Sequence, residues 1–290
     1  MINPKTMLML GYNTNGFTCH SLKSTFEIIA GLDYRCVAIT LDHCALNPYQ
    51  PNLEQEIESV KGMLKQYRLS CVIETGARFL LGPWHKHEPT LISGESKGRK
   101  YRLDFLKKAV DIGAKLDAKA ISFWSGKKSE NVDDENTWKW LVSGCRELSN
   151  YAEKQEIPLA FEPEPGMFIE TLSQYRKLKE NVGNDIFGLT LDLGHAFLTE
   201  DVAVEESIRR FRHDIKNIHI EDMKKGKHEH LFFGEGDMNF PEIFHALKET
   251  SYNGPINVEL SRHSHNAVEV AKKARDFLLR IGGLGNAGIG

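Results

Sequence analysis

Gly188-Leu189-Thr190-Leu191-Asp192-Leu193-Gly194-His195 is a run of apolar and β-branched residues that ends in a carboxylate, turns at a glycine and meets a histidine. It reads as a buried strand carrying Asp192 at its last position, with His195 in the loop beyond. A carboxylate beside an imidazole suits Mn²⁺, Zn²⁺ or Co²⁺. Asp followed closely by Gly is also ordinary strand-to-loop chemistry. The stretch therefore gains meaning only if its architecture recurs.

It does recur. Short apolar runs at 7–12, 36–42, 70–75, 120–124, 159–162, 188–192, 217–220 and 256–260 alternate with longer patterns of helical period. The helical patterns fall at 21–32, 52–67, from 99 onward, from Asp133 or Asp134 to 152, then at 172–182, 204–213, 240–250 and 266–280. Strict βα alternation predicts an α/β fold with a parallel sheet. Eight units are the number that closes a single (β/α)8 TIM barrel. The barrel is expected over 1–281, with a flexible glycine-rich tail at 282–290. An open doubly wound sheet is the alternative, and the first strand lacks the G-x-G-x-x-G or G-x-x-x-x-G-K-[ST] loop expected there. Two long connections stand out: 76–97, with Trp84, His85 and His87, and a polar stretch at 221–237.

Composition narrows the function classes. The 290 residues are 41% hydrophobic and 27% charged, as in an ordinary soluble protein. Formal charge is −3, so there is no global basic surplus to grip a nucleic-acid backbone, and no nucleic-acid partner is favoured. The five cysteines are odd in number and without C-x-x-C spacing, which suits free thiols in a reducing compartment. No apolar run is long enough to span a bilayer, and Gly11 interrupts the first apolar run too soon for a signal segment. The expectation is a cytoplasmic protein without a membrane partner.

In a barrel, functional groups sit at the C-terminal ends of the strands. Those ends here carry Asp42, Glu74, Glu162, Asp192, His219 and Glu259. Carboxylates at the ends of apolar strands are costly to desolvate unless paired or bound to a cation. The sharpest set is Glu162, Asp192, His219 and Glu259, an oxygen-rich group suited to one divalent metal: Mn, Mg, Co or Zn. His195 is a candidate supporting group or substrate contact. Glu74, Trp84, Trp124 and Arg262, at or beyond strand ends, are candidate substrate-binding residues. The 76–97 loop would overhang the barrel mouth as a lid. Arg78, Lys127 and Arg262 suit a phosphate or carboxylate on the substrate.

The motifs Leu159-Ala160-Phe161-Glu162-Pro163, Leu191-Asp192-Leu193-Gly194-His195, Asn217-Ile218-His219-Ile220-Glu221-Asp222, Gly234-Glu235-Gly236 and Val258-Glu259 resemble the xylose isomerase-like TIM barrels. That superfamily includes the sugar-phosphate isomerases and epimerases and the endonuclease IV-type AP endonucleases. Likeness to its D-tagatose 3-epimerase-like branch implies that Glu162, Asp192, His219 and Glu259 bind one metal. It further implies that Glu162 and Glu259 are the catalytic acid/base pair and that His195 contacts substrate. His228-Glu229-His230, before Gly234, is similar to the endonuclease IV loop in which an Asp and a His bind a further zinc. His228 stands where that Asp would be, so His195, His228 and His230 are candidates for a second metal or for substrate. That branch completes a trinuclear site with histidines at the ends of strands two and three, where this chain has Asp42-His43 and Glu74.

The expected function is thus a divalent-metal-dependent isomerase or epimerase. It acts on a small sugar, keto-sugar or sugar derivative by carboxylate-mediated proton transfer. The alternative is a metal-dependent phosphodiesterase or AP-endonuclease-like hydrolase with two or more metals. A non-catalytic scaffold is a third reading, opposed by the complete ligand set. The expected partner is a small sugar-like molecule, and the outer helices suit a homodimer.

Overall fold

Strands along which every side chain is buried need cover on both faces. β2 (Cys36–Thr40) and β6 (Phe187–Asp192) are of this kind. The other barrel strands are β1 (Met9–Asn13), β3 (Ser70–Glu74), β4 (Ile121–Phe123), β5 (Leu159–Phe161), β7 (Ile215–Ile220) and β10 (Pro255–Val258). In the computed structural model, which describes residues 8–282, these eight close into a parallel barrel in the order β1-β10-β7-β6-β5-β4-β3-β2. The expected (β/α)8 barrel is therefore present.

Alternation along each strand divides its side chains between two cores. Val37, Ile39, Ile73, Phe161, Leu189 and Ile218 face outward and join one large apolar cluster beneath the helices. Cys36, Ala38, Val72, Ala120 and Ala160 form a separate, smaller cluster that fills the barrel floor. One pleat further along the same inward faces stand Thr40, Glu74, Ser122 and Glu162. The interior thus changes from small and apolar to polar toward the C-terminal rim.

The helices are α1 (Leu22–Gly31), α2 (Leu53–Tyr67), α3 (Ser96–Leu116), α4 (Asp134–Glu153), α5 (Leu172–Val182), α6 (Leu193–Thr199), α7 (Val204–Phe211), α8 (Phe240–Glu249) and α9 (Ala267–Ile281). Their starts follow local chemistry. Asp133 caps α4 by accepting from the Asn136 N–H at 2.8 Å, and Thr171 with Gln174 forms a capping box on α5.

The structure departs from the sequence expectations in three places. The polar stretch 221–237 contains an antiparallel hairpin, β8 (Asp222–Lys224) and β9 (Lys227–Leu231). His195 lies in α6 rather than in a loop, because the Asp192 carboxylate caps that helix by accepting the His195 N–H at 2.7 Å. Asp42 lies past β2 and pairs with Arg78 at 3.7 Å instead of joining the other carboxylates. Of the tail expected at 282–290, all but Gly282 falls outside the described residues, as does the start of the first apolar run. All five cysteines are free. Among the described residues no helix is long and apolar enough to cross a membrane.

Candidate metal centre and substrate pocket

The strand ends deliver four side chains to one point. Glu162 follows β5, Asp192 ends β6, His219 is the penultimate residue of β7, and Glu259 follows β10. His219 Nδ1 lies 3.0 Å from Glu162 Oε1, 2.9 Å from Glu259 Oε2 and 3.9 Å from Asp192 Oδ2. One ligand atom from each of the four lies within 4.8 Å of the others. A cation bonding at about 2.0–2.2 Å holds its ligand atoms about 3–4.4 Å apart. Asp192 Oδ2 is buried with no hydrogen-bond partner. Three carboxyl groups around one imidazole nitrogen cannot all be satisfied by it, and a divalent cation fits the place they surround.

The surroundings set each group's charge. Burial pushes the Glu162 carboxyl well above the usual carboxylate range, and the Glu259 and Asp192 charges add to this against the pull of His219. Glu259 is also buried, but His219 beside it wins and holds it below that range. Burial opposes charge on His219, yet Glu74, Glu162 and Glu259 together raise it well above an ordinary histidine. Asn15 Nδ2 donates to Glu259 Oε1 at 2.8 Å and leaves Oε2 facing His219.

A second cluster adjoins the first. One ring nitrogen from each of His195, His228 and His230 lies within 4.8 Å of the others. His195 Nε2 and His228 Nε2 share a hydrogen bond of 3.0 Å, and His230 Nδ1–H donates to the Glu259 carbonyl at 3.2 Å. Burial lowers His195 to about 4 and also lowers His228, so these rings are neutral near pH 7. Unlike the carboxylate set, this trio satisfies much of its own hydrogen bonding. His195 Nδ1 remains without a partner, 3.7 Å from Glu162 Oε1.

Both clusters open on a pocket of about 430 Å³, the size of a small-molecule site. Its wall includes Glu74, Trp124, His87 and Glu164 as well as Arg78 and Lys86. Trp124 is 7% exposed, and His87 packs edge-on against it at 5.3 Å. Burial raises Glu164 to about 7. Three sequence candidates lie elsewhere. Trp84 is 86% exposed and off the pocket wall. Arg262 pairs with Glu229 at 2.8 Å and does not line the pocket, and neither does Lys127.

Glu164, Asn15 and Glu221 were not singled out from the sequence. Glu221 is fully buried, with neither carboxylate oxygen hydrogen-bonded, and its Oε2 lies 3.9 Å from His230 Nδ1. A β-carbon on Gly194 would stand 2.1 Å from Glu221 Oε1, so any side chain where α6 starts would displace the Glu221 carboxylate. The available signal was period two: Asn217, His219 and Glu221 share one parity, the one facing the barrel interior. The hairpin bearing His228 and His230 is anchored by Asp222, which accepts N–H groups from Met223, Gly234, Gly236 and Met238.

A closed parallel barrel thus carries this candidate metal cluster at its C-terminal rim. The profile of the xylose isomerase-like TIM barrel family matches residues 26–281, and the chain belongs to that family. The inosose dehydratase of Clostridium perfringens is 26% identical over 166 residues, 51% of this chain and 56% of the relative. The L-ribulose-5-phosphate 3-epimerase of Salmonella typhi is 25% identical over 213 residues, 72% of this chain and 74% of the relative. The chain spans between 56% and 62% of the length of the first curated relatives it matches. A solved D-tagatose 3-epimerase-like protein superposes with a TM-score of 0.75 at 20% identity, covering 94% of this chain and 99% of that one. IolI, solved with a zinc atom, superposes with a TM-score of 0.77 at 18% identity, covering 96% and 99%. These two likenesses are of fold.

Proposed function

We propose that this chain is a divalent-metal-dependent isomerase or epimerase of a small sugar, keto-sugar or sugar derivative. The observation that carries the reading is the pair Glu162 and Glu259. Both lie within 3.0 Å of His219 Nδ1, at the rim of a small-molecule pocket, and their proton affinities are pushed in opposite directions. Two titratable groups driven apart in this way suit an acid and a base.

Glu162, Asp192, His219 and Glu259 would hold the cation. When bound, it supplies the charge that polarises a carbonyl and its neighbouring hydroxyl and so acidifies the α C–H. Glu259, the ionised partner, accepts the α proton. Glu162, which burial favours in its protonated form, returns a proton to the opposite face or to the neighbouring carbon. The reverse reaction exchanges the two roles. The neutral ring of His195 and the ring of His230, both on the pocket wall, bind substrate hydroxyls. Relatives named as a sugar-phosphate epimerase and an inosose dehydratase support a polyhydroxylated carbonyl substrate.

The convergence of His195, His228 and His230 favours one second reading, a hydrolase of phosphodiesters with a further cation on that trio. The test is proton NMR in D₂O, with the Mn²⁺-loaded chain incubated with a panel of ketoses and keto-sugar derivatives and the metal removed before recording. Deuterium entering next to the carbonyl of at least one panel member is expected. No exchange in any member, with cleavage of bis(p-nitrophenyl) phosphate, would move the assignment to the hydrolase.

A further inference from the structure

We propose that Glu74 is a positioning residue for the metal centre. It would hold His219 in the one tautomer that leaves a lone pair for the cation. This rests on the metal reading of the carboxylate cluster.

His219 is the single imidazole in that cluster, and its two nitrogens face different groups. Nδ1 faces Glu162 and Glu259, while Nε2 lies 2.9 Å from Glu74 Oε1. With a cation in the cluster, Nδ1 must offer it a lone pair, so Nε2 is the nitrogen that keeps the hydrogen. Glu74, an acceptor behind Nε2, favours that arrangement and leaves Nδ1 aimed at the three other carboxylates.

Glu74 is in turn held by a buried chain of amides. Asn257 Nδ2 donates to Asn217 Oδ1 at 2.9 Å, which fixes the orientation of the Asn217 amide. Asn217 Nδ2 then donates to Glu74 Oε1 at 3.3 Å. This amide nitrogen also lies 3.1 Å from His219 Nε2, and as a donor it leaves Glu74 as the acceptor that Nε2–H can use. Both donors thus converge on one carboxylate oxygen. Asn217 and Asn257 are fully buried, and His219 and Glu74 nearly so. Water has little access to rescue the ring if the carboxylate is removed. Glu74 lines the pocket, but this contact assigns it to the ligand histidine rather than to substrate. Carboxylates behind metal-bound histidines raise ligand basicity, and their loss commonly weakens metal binding by about 10–100-fold.

The probe is Zn²⁺ alone, titrated calorimetrically into the chelator-stripped full chain and its Glu74→Ala and Glu74→Gln variants. Glu74→Ala is expected to weaken binding at least about tenfold. Glu74→Gln should fall between it and the parent, because an amide oxygen still accepts the Nε2–H without the charge. Glu74→Gln also guards against a folding defect in the alanine variant. Long-range ¹H–¹⁵N NMR of the histidines should show His219 protonated only at Nε2 in the zinc-loaded parent, and in a smaller fraction of chains in Glu74→Ala at the same sub-saturating Zn²⁺. Binding within twofold of the parent in both variants, with the tautomer unchanged, would overturn the positioning role while leaving the metal reading intact. A parent chain that binds no Zn²⁺ would overturn both.

Discussion

Glu162→Gln and Glu259→Gln are each expected to lower turnover by about 10²–10⁴-fold, the range for losing a positioned acid or base. The amide keeps the shape and one oxygen for a cation but cannot carry the proton. Metal content and kcat should therefore separate: each variant retains some bound metal while deuterium exchange into substrate collapses. The asymmetry between the two carboxylates adds detail. With Glu259 as the ionised partner, Glu259→Gln should remove α-proton abstraction itself. Glu162→Gln should suppress product formation more than exchange, since abstraction and return by Glu259 survive. Exchange and turnover within tenfold of the parent in both variants would show that neither carboxylate moves the proton.

The second large effect is a reversal of pH dependence on metal binding. In metal-free protein, stability is expected to fall as pH rises from about 6.5 to 8. Burial raises Glu164 to about 7 and holds Glu162 and Glu221 well above the usual range. In that window the unfolded chain has already released these protons, while the folded chain retains them until pH passes each folded value, so stability drops as pH rises. His219 acts in the same direction. Burial opposes its charge, but neighbouring carboxylates raise it, so its contribution is complete below about 6.5 and is lost as pH passes its folded value. Two sets of groups oppose this. His195 and His87 are lowered to about 4, and His228 and His263 are lowered too, so they act only at the acid edge of the window, where the unfolded chain is still shedding its histidine protons. Glu259 is lowered, so its contribution is lost only in acid. The expected loss in Tm for metal-free protein is about 5 °C or more. Metal competes with protons for its ligands and so binds more tightly as pH rises. Its stabilisation, about 2.7 kcal/mol at a hundredfold excess over Kd, should therefore be larger at pH 8 than at 6.5. Thermal melts with and without Mn²⁺ at both values check this.

Much of the fold was legible because a parallel barrel writes itself as repeated apolar runs spaced by helices, and each run ends where function sits. Asp192, His219, Glu162 and Glu259 could be read from those ends, since a carboxylate closing an apolar strand is expensive without a purpose. Other features depend on contacts between distant segments. Asn15 and Glu259 are far apart in the chain, yet closing β1 on β10 brings them together. Glu74 reads as a pocket residue until the barrel places its carboxylate behind His219. The hairpin that carries His228 and His230 is polar and short, and Asp222 organises it through backbone N–H groups that leave no side-chain pattern. Trp84 illustrates the opposite difficulty: an aromatic in a long loop signals a contact, but its exposure depends on how that loop lies.

Elemental analysis of metal bound per chain, on protein purified without added metal or chelator, tests the central claim most directly. The parent and the His228→Ala/His230→Ala double variant would be measured together. About one equivalent of a divalent transition metal or magnesium per chain is expected, unchanged by the double substitution and lost in Asp192→Ala. Two or more equivalents in the parent, falling when the two histidines are removed, would contradict a single-metal isomerase and point to the hydrolase.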